Sequence, residues 1–295
     1  MNSIVVSIII PTYNDWKRLS LCVNALGDQS FAKDKFEVII VNNNPADSIP
    51  ANFLLPANAV IITEEAPGSY AARNAALRMA KGEIIGFTDS DCIPDPNWIK
   101  NAVDYLLSNS TCSRIAGKIT IFFETSNPTA AELYDKVYAF NQKSYVGSGT
   151  SVTANLFTYK AVFEKVGFFD EKLLSGGDYD WGTKANKKGF KIDYVEDVLV
   201  KHPARGTIRE LVKKERRVGG SQAIFLRKNT SMRANIVQFI KELRPRIGTL
   251  ELIETNGRDL SAINKINIFL LRHYLLAVRA YARLRVQMGK KPNRA

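Results

Sequence analysis

The chain is poor in cysteine and has no long hydrophobic run, and each shortage excludes a class of protein. Its 295 residues include only three cysteines, Cys22, Cys92 and Cys112, without a CxxC pair. So sparse and odd a set argues against a disulfide framework or a zinc site and favours a reducing compartment. No apolar run approaches the roughly 20 residues of a membrane-spanning helix. The first apolar run lacks the flanks of a signal peptide, so we expect a cytoplasmic protein.

Acidic residues are scarce in the last third of the chain, where the positive charge is concentrated. Residues 201–295 contain 22 Lys+Arg and 6 Asp+Glu, a net charge of +16, whereas residues 1–200 carry a net charge of −4. This asymmetry predicts an acidic partner for the last third: anionic lipid, a polyanionic polymer, substrate phosphates or nucleic acid. No helix-turn-helix or aromatic-basic RNA motif accompanies the charge, so nucleic acid is disfavoured.

Strands alternate with helices along the first hundred residues. Apolar, β-branched runs predict strands that are buried on both faces, with helices between them. The predicted strands are residues 5–10, 36–41, 59–63 and 83–88, and the predicted helices are residues 15–29 and 68–82. This alternation predicts an α/β fold with a Rossmann-like, mostly parallel sheet flanked by helices. The polar residues after three of these strands would share one sheet edge, where such folds bind ligands.

The pattern is looser between residues 101 and 205. The predicted strands there are residues 115–123, 156–159 and 191–195, and the predicted helices are residues 129–145, residues 160–166 and a helix that begins near Asp178. These elements alternate less regularly than those before them.

The last third is predicted to be helical, with a break at Gly219 and Gly220. Residues 263–288 predict an amphipathic helix with an apolar and a basic face. The apolar face contains Ile266, Phe269, Leu270, Ala277, Tyr281 and Leu284, and the basic face contains Lys265, Arg272, Arg279 and Arg283. This helix either packs on the first domain with its arginines in solvent, or it contacts a membrane surface or a partner, including a second copy of the chain.

Two carboxylates, Asp89 and Asp91, follow directly on the predicted strand at residues 83–88. A turn follows, and a helix is predicted to begin near Asn97. Carboxylates at the end of a buried strand lie where open α/β sheets bind ligands, and Mn²⁺ and Mg²⁺ prefer oxygen ligands. The alternative is a polar turn whose aspartates cap the next helix.

Six segments follow one another in a fixed order. They are VSIIIPTYN (6–14), FEVIIVNNNPAD (36–47), GSYAARNAALRMAKGEIIGFTDSDCIPDPNWI (68–99), GFFDE (167–171), SGGDYDWG (175–182) and His202. Together they resemble a family 2 glycosyltransferase with the GT-A fold. The resemblance implies a GT-A catalytic domain over residues 1–205, with a nucleotide-binding half at residues 1–100 and an acceptor-side half at residues 101–205. Residues 206–295 are then a basic helical C-terminal region.

The resemblance implies an inverting, metal-dependent enzyme that uses a nucleotide-diphospho-sugar, with a UDP-sugar favoured. It would move a hexose or N-acetylhexosamine to a hydroxyl of a glycan, glycolipid or cell-surface polymer. A divalent cation, Mn²⁺ or Mg²⁺, would neutralise charge on the departing diphosphate. Two alternatives are transfer to a polyprenyl phosphate and a non-catalytic sugar-nucleotide-binding protein. The expected location is the cytoplasm or the inner face of the cell membrane.

The resemblance also assigns roles near the metal. Asp91, the last residue of the DSD triplet, is expected to bind the metal directly, and Asp89 is expected to face the ribose or a metal-bound water. His202 matches a position that supplies another metal ligand or a diphosphate contact; the alternative is an ordinary structural histidine.

An inverting transfer needs a general base next to the acceptor hydroxyl. The segment SGGDYDWG resembles the pattern G-E-D-x-D/E, in which Asp178 falls on the catalytic carboxylate. Asp180 is the second candidate, and its alternative role is capping and dipole compensation at a helix start. Gly177 departs from the pattern, because an acidic residue is usual there.

Residues that match the nucleotide-binding positions are spread over several segments: Pro11, Thr12, Tyr13, Asn42, Asn43 and Arg73. The two asparagines stand where aspartate commonly pairs with uracil, and an amide oxygen can accept the same hydrogen bond without charge. Arg73 matches an arginine near the base or diphosphate; its alternative is a solvated helix face. Arg216 and Arg217 are further candidates for a diphosphate contact.

Overall fold

The computed structural model describes residues 3–226, 231–244 and 247–292. The chain forms two compact units, each assembled from three segments. The first unit contains Met1–Thr120, Phe140–Lys172 and Gly177–His202, and the second contains Ile121–Ala139, Leu173–Gly176 and Pro203–Ala295. The predicted domain division at residue 205 stays a prediction.

In the described part of the chain, eight strands form one mixed sheet in the order β3-β2-β1-β4-β7-β6-β8-β5. The strands are β1 (Val6–Thr12), β2 (Phe36–Asn42), β3 (Ala59–Thr63), β4 (Ile84–Thr88), β5 (Ile93–Pro94), β6 (Arg114–Phe122), β7 (Asn155–Tyr159) and β8 (Ile192–Pro203). The first four strands pair in parallel, whereas β7 pairs antiparallel with both β4 and β6. The predicted α/β architecture is confirmed, and its parallel part is the N-terminal half.

The parallel pairing brings the ends of three strands to one edge of the sheet. Thr12 at the end of β1 pairs with Asn42 at the end of β2, and β4 runs beside β1 in the same direction. The strands are almost wholly buried, as their continuous β-branched runs predict for a sheet covered on both faces. The polar residues that follow β1, β2 and β4 therefore share one edge, as the sequence predicted.

Six helices described for the first unit are α1 (Trp16–Gly27), α2 (Ser69–Met79), α3 (Trp98–Ser108), α5 (Gln142–Gly147), α6 (Lys160–Val166) and α7 (Gly177–Lys187). The predicted helix at residues 129–145 is wrong as a single element. It is divided into α4 (Ala130–Tyr138) and α5, because the backbone at Phe140 adopts a positive φ of 53°. A helix cannot continue through that conformation.

Two predicted strand ends are also corrected. Pro11 and Thr12 lie inside β1, because Pro11 pairs with Val41 of β2 while the pairing of β1 with β4 ends at Ile9. The strand predicted at residues 191–195 continues as β8 to residue 203. The exposed, charged Glu196 and Asp197 interrupt the apolar pattern of this strand. Buried residues alternate again after them, and the sequence prediction missed this continuation.

The second unit contains the helices α4, α8 (Ile208–Leu226), α9 (Met232–Glu242), α10 (Leu250–Asn256) and α11 (Ala262–Gln287), with a 3-10 helix at Ile247–Thr249. The predicted break at Gly219 and Gly220 is wrong, because α8 continues through both glycines. Gly219 permits close packing instead: a Cβ there would lie 2.2 Å from the backbone oxygen of Arg279 in α11. Over residues 3–226, 231–244 and 247–292, no helix is both long and apolar enough to cross a membrane.

The basic face of α11 points inward, contrary to the expectation of solvated arginines. Arg272 donates a 2.8 Å hydrogen bond to the hydroxyl of Tyr134 in α4. Arg279 pairs with Glu215 of α8, and Arg283 pairs with Glu242 of α9. On the predicted apolar face, Ile266, Leu270 and Tyr281 are exposed, whereas Phe269, Ala277 and Leu284 are half-buried. The predicted apolar face is therefore wrong as the buried face, because α11 buries Ile268, Leu271 and Leu275 instead. The side that faces inward depends on apolar residues and carboxylates far away in sequence.

Gly219→Ala tests the close approach of α8 and α11. The added methyl group would overlap the Arg279 carbonyl, so we expect a loss of about 1–3 kcal/mol of stability and a melting temperature lower by several degrees. Differential scanning fluorimetry measures the melting temperature. Gly27→Ala is the control, since Gly27 is also helical and has no atom within 4 Å of the added Cβ. Equal melting temperatures for the two variants would contradict the packing described.

Candidate active site

Helix α2 begins at a glycine that the local backbone requires. Gly68, the residue before the helix, has a φ of 120°, which side-chain-bearing residues rarely adopt. Its N–H donates a 2.8 Å hydrogen bond to the Oδ1 of Asn43 beyond β2. The first turns of α2 then bury three polar residues at helical spacing, Tyr70, Arg73 and Asn74. This face of α2 organises the site.

Arg73 binds the first carboxylate of the DSD triplet. Its Nη2 lies 2.5 Å from the Oδ1 of Asp89, and Arg73 as a whole is only 3% exposed. The alternative of a solvated helix face is therefore excluded. The Asp89 carboxylate is one-third exposed, so it neutralises the buried guanidinium from the rim of the site. The expected contacts of Asp89 with ribose or metal-bound water, and of Arg73 with base or diphosphate, stay predictions.

Asp91 and His202 lie together, although 111 residues of sequence separate them. The Nε2 of His202 is 3.4 Å from the Oδ1 of Asp91, and the Cys92 Sγ joins them within a span of 4.8 Å. β8 carries His202 into this position, where its ring packs against that of Phe140 at 4.5 Å between centroids. Burial and the neighbouring Asp91 and Asp89 raise the pKa of the Cys92 thiol well above its usual value. Mn²⁺ and Mg²⁺ prefer oxygen and imidazole ligands to sulfur, so the Asp91 carboxylate and the His202 imidazole are the candidate ligands.

Asp178 lies in the first turn of α7 and is held by three donors. Its Oδ1 accepts hydrogen bonds from the hydroxyl of Tyr70 at 3.0 Å and from the N–H of Tyr179 at 2.9 Å. Burial raises the pKa of the Asp178 carboxyl, and the nearby Arg73 together with hydrogen bonds from Tyr70, Tyr179 and the Thr153 backbone oppose the rise. Burial and Asp178 in turn raise the pKa of Tyr70, so its phenol stays a hydrogen-bond donor.

Gly177 departs from the family pattern for a steric reason. A Cβ at Gly177 would lie 2.8 Å from the ring of Tyr70, so the ring occupies the space that a side chain there would need. The sequence shows the departure but not its cause. Tyr70 itself was missed in the sequence analysis, although it lies one helical turn before Arg73 in a segment that carries the resemblance.

Aromatic rings pack against Tyr70 and α7. Phe169 of the GFFDE segment packs 5.5 Å from the rings of both Tyr70 and Trp181. Asn74 fixes this segment, because its side chain donates to the Phe169 oxygen at 2.9 Å and accepts from the Phe169 N–H at 3.1 Å. The buried Arg114 holds the other side of α7 through the Gly182 oxygen. The GFFDE segment therefore has a structural role behind the candidate base.

Asp180, the second candidate base, has a different environment. It forms a 2.5 Å ion pair with Lys184 one turn further along α7. Its place in the first turn of α7 suits compensation of the helix dipole, and its role as a base stays a prediction. Arg216 and Arg217 both lie on α8, and their predicted diphosphate contact stays a prediction.

Asn42 and Asn43 use their amides within the chain. Asn42 donates to the Asp47 oxygen at 2.9 Å and accepts from the Asn44 N–H at 3.0 Å. Asn43 donates to the backbone oxygens of Glu64 and Ala66, at 2.9 and 2.7 Å, and accepts from Gly68. Asn42 therefore shapes the loop between β2 and β3, and Asn43 fixes the loop between β3 and α2. Their predicted contact with the nucleotide base stays a prediction.

Pro11, Thr12 and Tyr13 lie at the end of β1 on the same edge as Asp89. Tyr13 is exposed, whereas Thr12 is 2% exposed. Among the residues that the structure describes, the Thr12 hydroxyl and the Arg73 Nε are buried without a hydrogen-bond partner. Buried donors that lack a partner are uncommon in proteins, and a bound ligand is one way to satisfy them. The predicted nucleotide contact of this segment stays a prediction.

Comparison with known proteins assigns the chain to a family. The family model for glycosyl transferase family 2 matches residues 7–166. Glycosyltransferase AglE of Haloferax volcanii is 35% identical over 223 residues, which cover 74% of this chain and 72% of that protein. The chain therefore belongs to glycosyl transferase family 2, as the resemblance predicted.

Solved structures of glycosyltransferases share the fold. The mannosyltransferase PcManGT from Pyrobaculum calidifontis, in complex with GDP-Man and Mn2+, has a TM-score of 0.61 at 18% identity and covers 96% of this chain and 88% of its own. S. aureus TarS 1–349, in complex with UDP-GlcNAc, has a TM-score of 0.55 at 17% identity, with coverages of 97% and 93%. At these identities the similarity shows the fold alone, and the predicted GT-A fold is confirmed.

Gly177→Ala tests whether Tyr70 positions Asp178. The new methyl group would displace the Tyr70 ring and its hydroxyl, so we expect sugar transfer to slow about ten- to a hundredfold, as misplacement of a catalytic group does. Initial rates of nucleotide release from a sugar donor measure it. Gly147→Ala is the control, since a Cβ there meets no atom within 4 Å. Full activity of Gly177→Ala would contradict the role given to Tyr70.

Proposed function

We propose that the protein is an inverting, metal-dependent glycosyltransferase that moves a sugar from a nucleotide diphosphate to a hydroxyl of a glycan, glycolipid or cell-surface polymer. One observation carries the proposal. A single helix, α2, contacts both the DSD triplet, through Arg73 and Asp89, and the candidate base, through Tyr70 and Asp178. The carboxylate next to the candidate metal ligands and the carboxylate that would accept a proton are thus fixed to one rigid element.

The residues present fit a divalent cation of the Mn²⁺ or Mg²⁺ type. Asp91 and His202 offer an oxygen and a nitrogen on one side of a small cluster, with further ligands left to the diphosphate and water. When bound, such a cation would neutralise the charge that develops on the departing nucleoside diphosphate. Thr12 Oγ1 and Arg73 Nε add buried donors for the nucleotide.

Asp178 would act as the general base. Inversion requires a base beside the acceptor hydroxyl, on the face of the sugar opposite the leaving group. The Tyr70 hydroxyl and the Tyr179 N–H fix the carboxylate without taking its negative charge, so Asp178 can accept the acceptor's proton in one orientation. Asp180 is the weaker candidate, because its carboxylate is paired with Lys184. An ordered base in this position favours turnover over a protein that only binds sugar nucleotides.

The donor is proposed to be a UDP-sugar that carries a hexose or N-acetylhexosamine. TarS in complex with UDP-GlcNAc supports UDP, and PcManGT in complex with GDP-Man makes a GDP-sugar the competing choice. A polyprenyl phosphate is the second candidate acceptor, and the apolar side chains that α11 exposes favour a lipid-linked molecule over a soluble one. The three cysteines are buried free thiols, and free thiols support a cytoplasmic location.

Asp178→Asn should separate chemistry from donor binding. The amide keeps the size of the side chain and still accepts from Tyr70, but it cannot take a proton. We expect transfer to fall by about two to four orders of magnitude. Thermal stabilisation by UDP-, GDP- or dTDP-sugars with Mn²⁺ should persist, since stabilisation reports binding to the folded state. Asp91→Ala should instead lose the Mn²⁺-dependent part of that stabilisation.

Asp180→Asn is the matched control, because Asp180 lies two residues after Asp178 in the same helix. It should retain most of the activity. If Asp180→Asn abolished transfer and Asp178→Asn did not, the assignment of the base would be reversed. If no nucleotide sugar stabilised the protein, a donor-dependent reaction would be contradicted.

The pH dependence of transfer tests the environment of Asp178. Since burial raises its pKa, the rate should rise with pH to a plateau, with a midpoint above the usual range of an aspartate. The Tyr70 hydrogen bond lowers that pKa, so Tyr70→Phe should move the midpoint to higher pH. Profiles of kcat/KM for the two proteins measure the shift. An unchanged midpoint would show that another group controls the acidic limb.

A further inference from the structure

Helix α11, with the residue that follows it, exposes a stripe of apolar side chains along one side. Six large side chains, each more than half exposed, share one side of the helix at spacings of three, four and seven residues: Ile263, Ile266, Leu270, Tyr274, Tyr281 and Met288. At 1.5 Å per residue the stripe is about 38 Å long. Isolated exposed apolar residues are ordinary in soluble proteins, but a contiguous stripe of this length marks an interaction surface.

The stripe is exposed because the opposite side of α11 is packed inside the second unit, where Ile268, Leu271 and Leu275 are buried in an apolar cluster. Arg279 and Arg283 pair with Glu215 and Glu242, and Arg272 binds the Tyr134 hydroxyl. These contacts fix the rotation of α11 about its axis. Turning the apolar stripe inward would remove two ion pairs and leave buried carboxylates without partners, which is costly. The outward orientation of the stripe is therefore a built feature of the second unit.

Helix α9, which contacts α11, adds both apolar and basic side chains. Its exposed apolar residues are Met232, Ile236, Val237 and Ile240, with Leu243 directly after the helix. The cations Arg233, Lys241 and Arg244 are exposed among them. The acidic residue of α9, Glu242, is turned toward Arg283 of α11. The exposed part of α9 therefore combines apolar side chains with positive charge alone.

We propose that the α9–α11 surface, defined by these exposed residues, docks on a bilayer that contains anionic lipid, with α11 lying in the plane of the interface. Three features select this occupant. Isoleucine, leucine and methionine can enter the acyl boundary, tyrosines suit the headgroup region, and flanking cations attract anionic headgroups. The net charge of +16 over residues 201–295 acts in the same direction.

A second copy of the chain fits this surface less well. A symmetric pair places the same patch on both partners, so the cations of one copy would face a surface whose exposed charges are all positive. Like charges brought together in that way repel each other, whereas anionic headgroups neutralise them. The proposal does not rest on the transferase activity, because it concerns a surface of the second unit alone.

Co-sedimentation of the full chain with vesicles tests the proposal. We expect binding to vesicles of phosphatidylcholine with phosphatidylglycerol, weaker binding to phosphatidylcholine alone, and a decline with rising salt. The double variant Leu270→Ser, Tyr281→Ser should bind at least about tenfold less, since both side chains would lose apolar burial. Leu54→Ser, Leu107→Ser is the matched control, because these two leucines are more exposed than Leu270 and Tyr281 and lie outside the surface.

A second variant removes charge without removing apolar area. Arg233→Gln, Lys241→Gln, Arg244→Gln should reduce both the affinity for anionic vesicles and its salt dependence, whereas Lys17→Gln, Lys33→Gln, Lys172→Gln should not. Sedimentation equilibrium without lipid distinguishes the competing occupant. A dimer that Leu270→Ser, Tyr281→Ser converts to a monomer, with no vesicle binding by the unmodified chain, would overturn the proposal. So would equal losses in the control variants.

Discussion

The site depends on the pairing of a buried arginine with a rim carboxylate. Arg73 is almost completely inaccessible, and the Asp89 carboxylate 2.5 Å away is the direct ion-pair partner of its buried charge. The pair ties α2 to the loop after β4, and that loop also carries Asp91 toward His202. One guanidinium thereby determines where the DSD triplet lies relative to the helix. Removal of either partner would leave an uncompensated charge where the nucleotide is proposed to bind.

The same helix, α2, also positions the candidate base, Asp178, but through a hydrogen bond and not an ion pair. Tyr70 is neutral, and its hydroxyl reaches Asp178 from a ring held against Phe169. Gly177 makes the approach possible, since a side chain there would collide with the ring. In this packing, position 177 cannot carry an acidic side chain while the Tyr70 ring occupies its present place. Gly177 and Tyr70 are therefore linked by packing: the absence of a side chain at one position makes room for the ring at the other.

Sequence reasoning predicted most of the fold, because strands such as β3 and helices such as α6 are determined by local apolar runs and turn residues. It also predicted that Asp91 and His202 belong to one site, through the resemblance. It did not predict Tyr70 or Asn74, because their partners, Asp178 and Phe169, are about a hundred residues away. The false break at Gly219 has the same origin: a glycine that permits close helix packing looks, in sequence, like a glycine that ends a helix.

The net charge of the last third of the chain is a poor measure of its surface charge. Several of its cations are neutralised inside the second unit, where Arg205 and Lys214 lie near Asp135, and Arg279 and Arg283 pair with glutamates. Burial lowers the pKa of the Lys214 ammonium to about 8, and its charge is held next to Asp135 inside the unit. The total of +16 therefore overstates the field available to a partner. What remains on the surface is a smaller set of cations beside apolar side chains, and that combination suits an interface with lipid better than one with a purely polar polyanion.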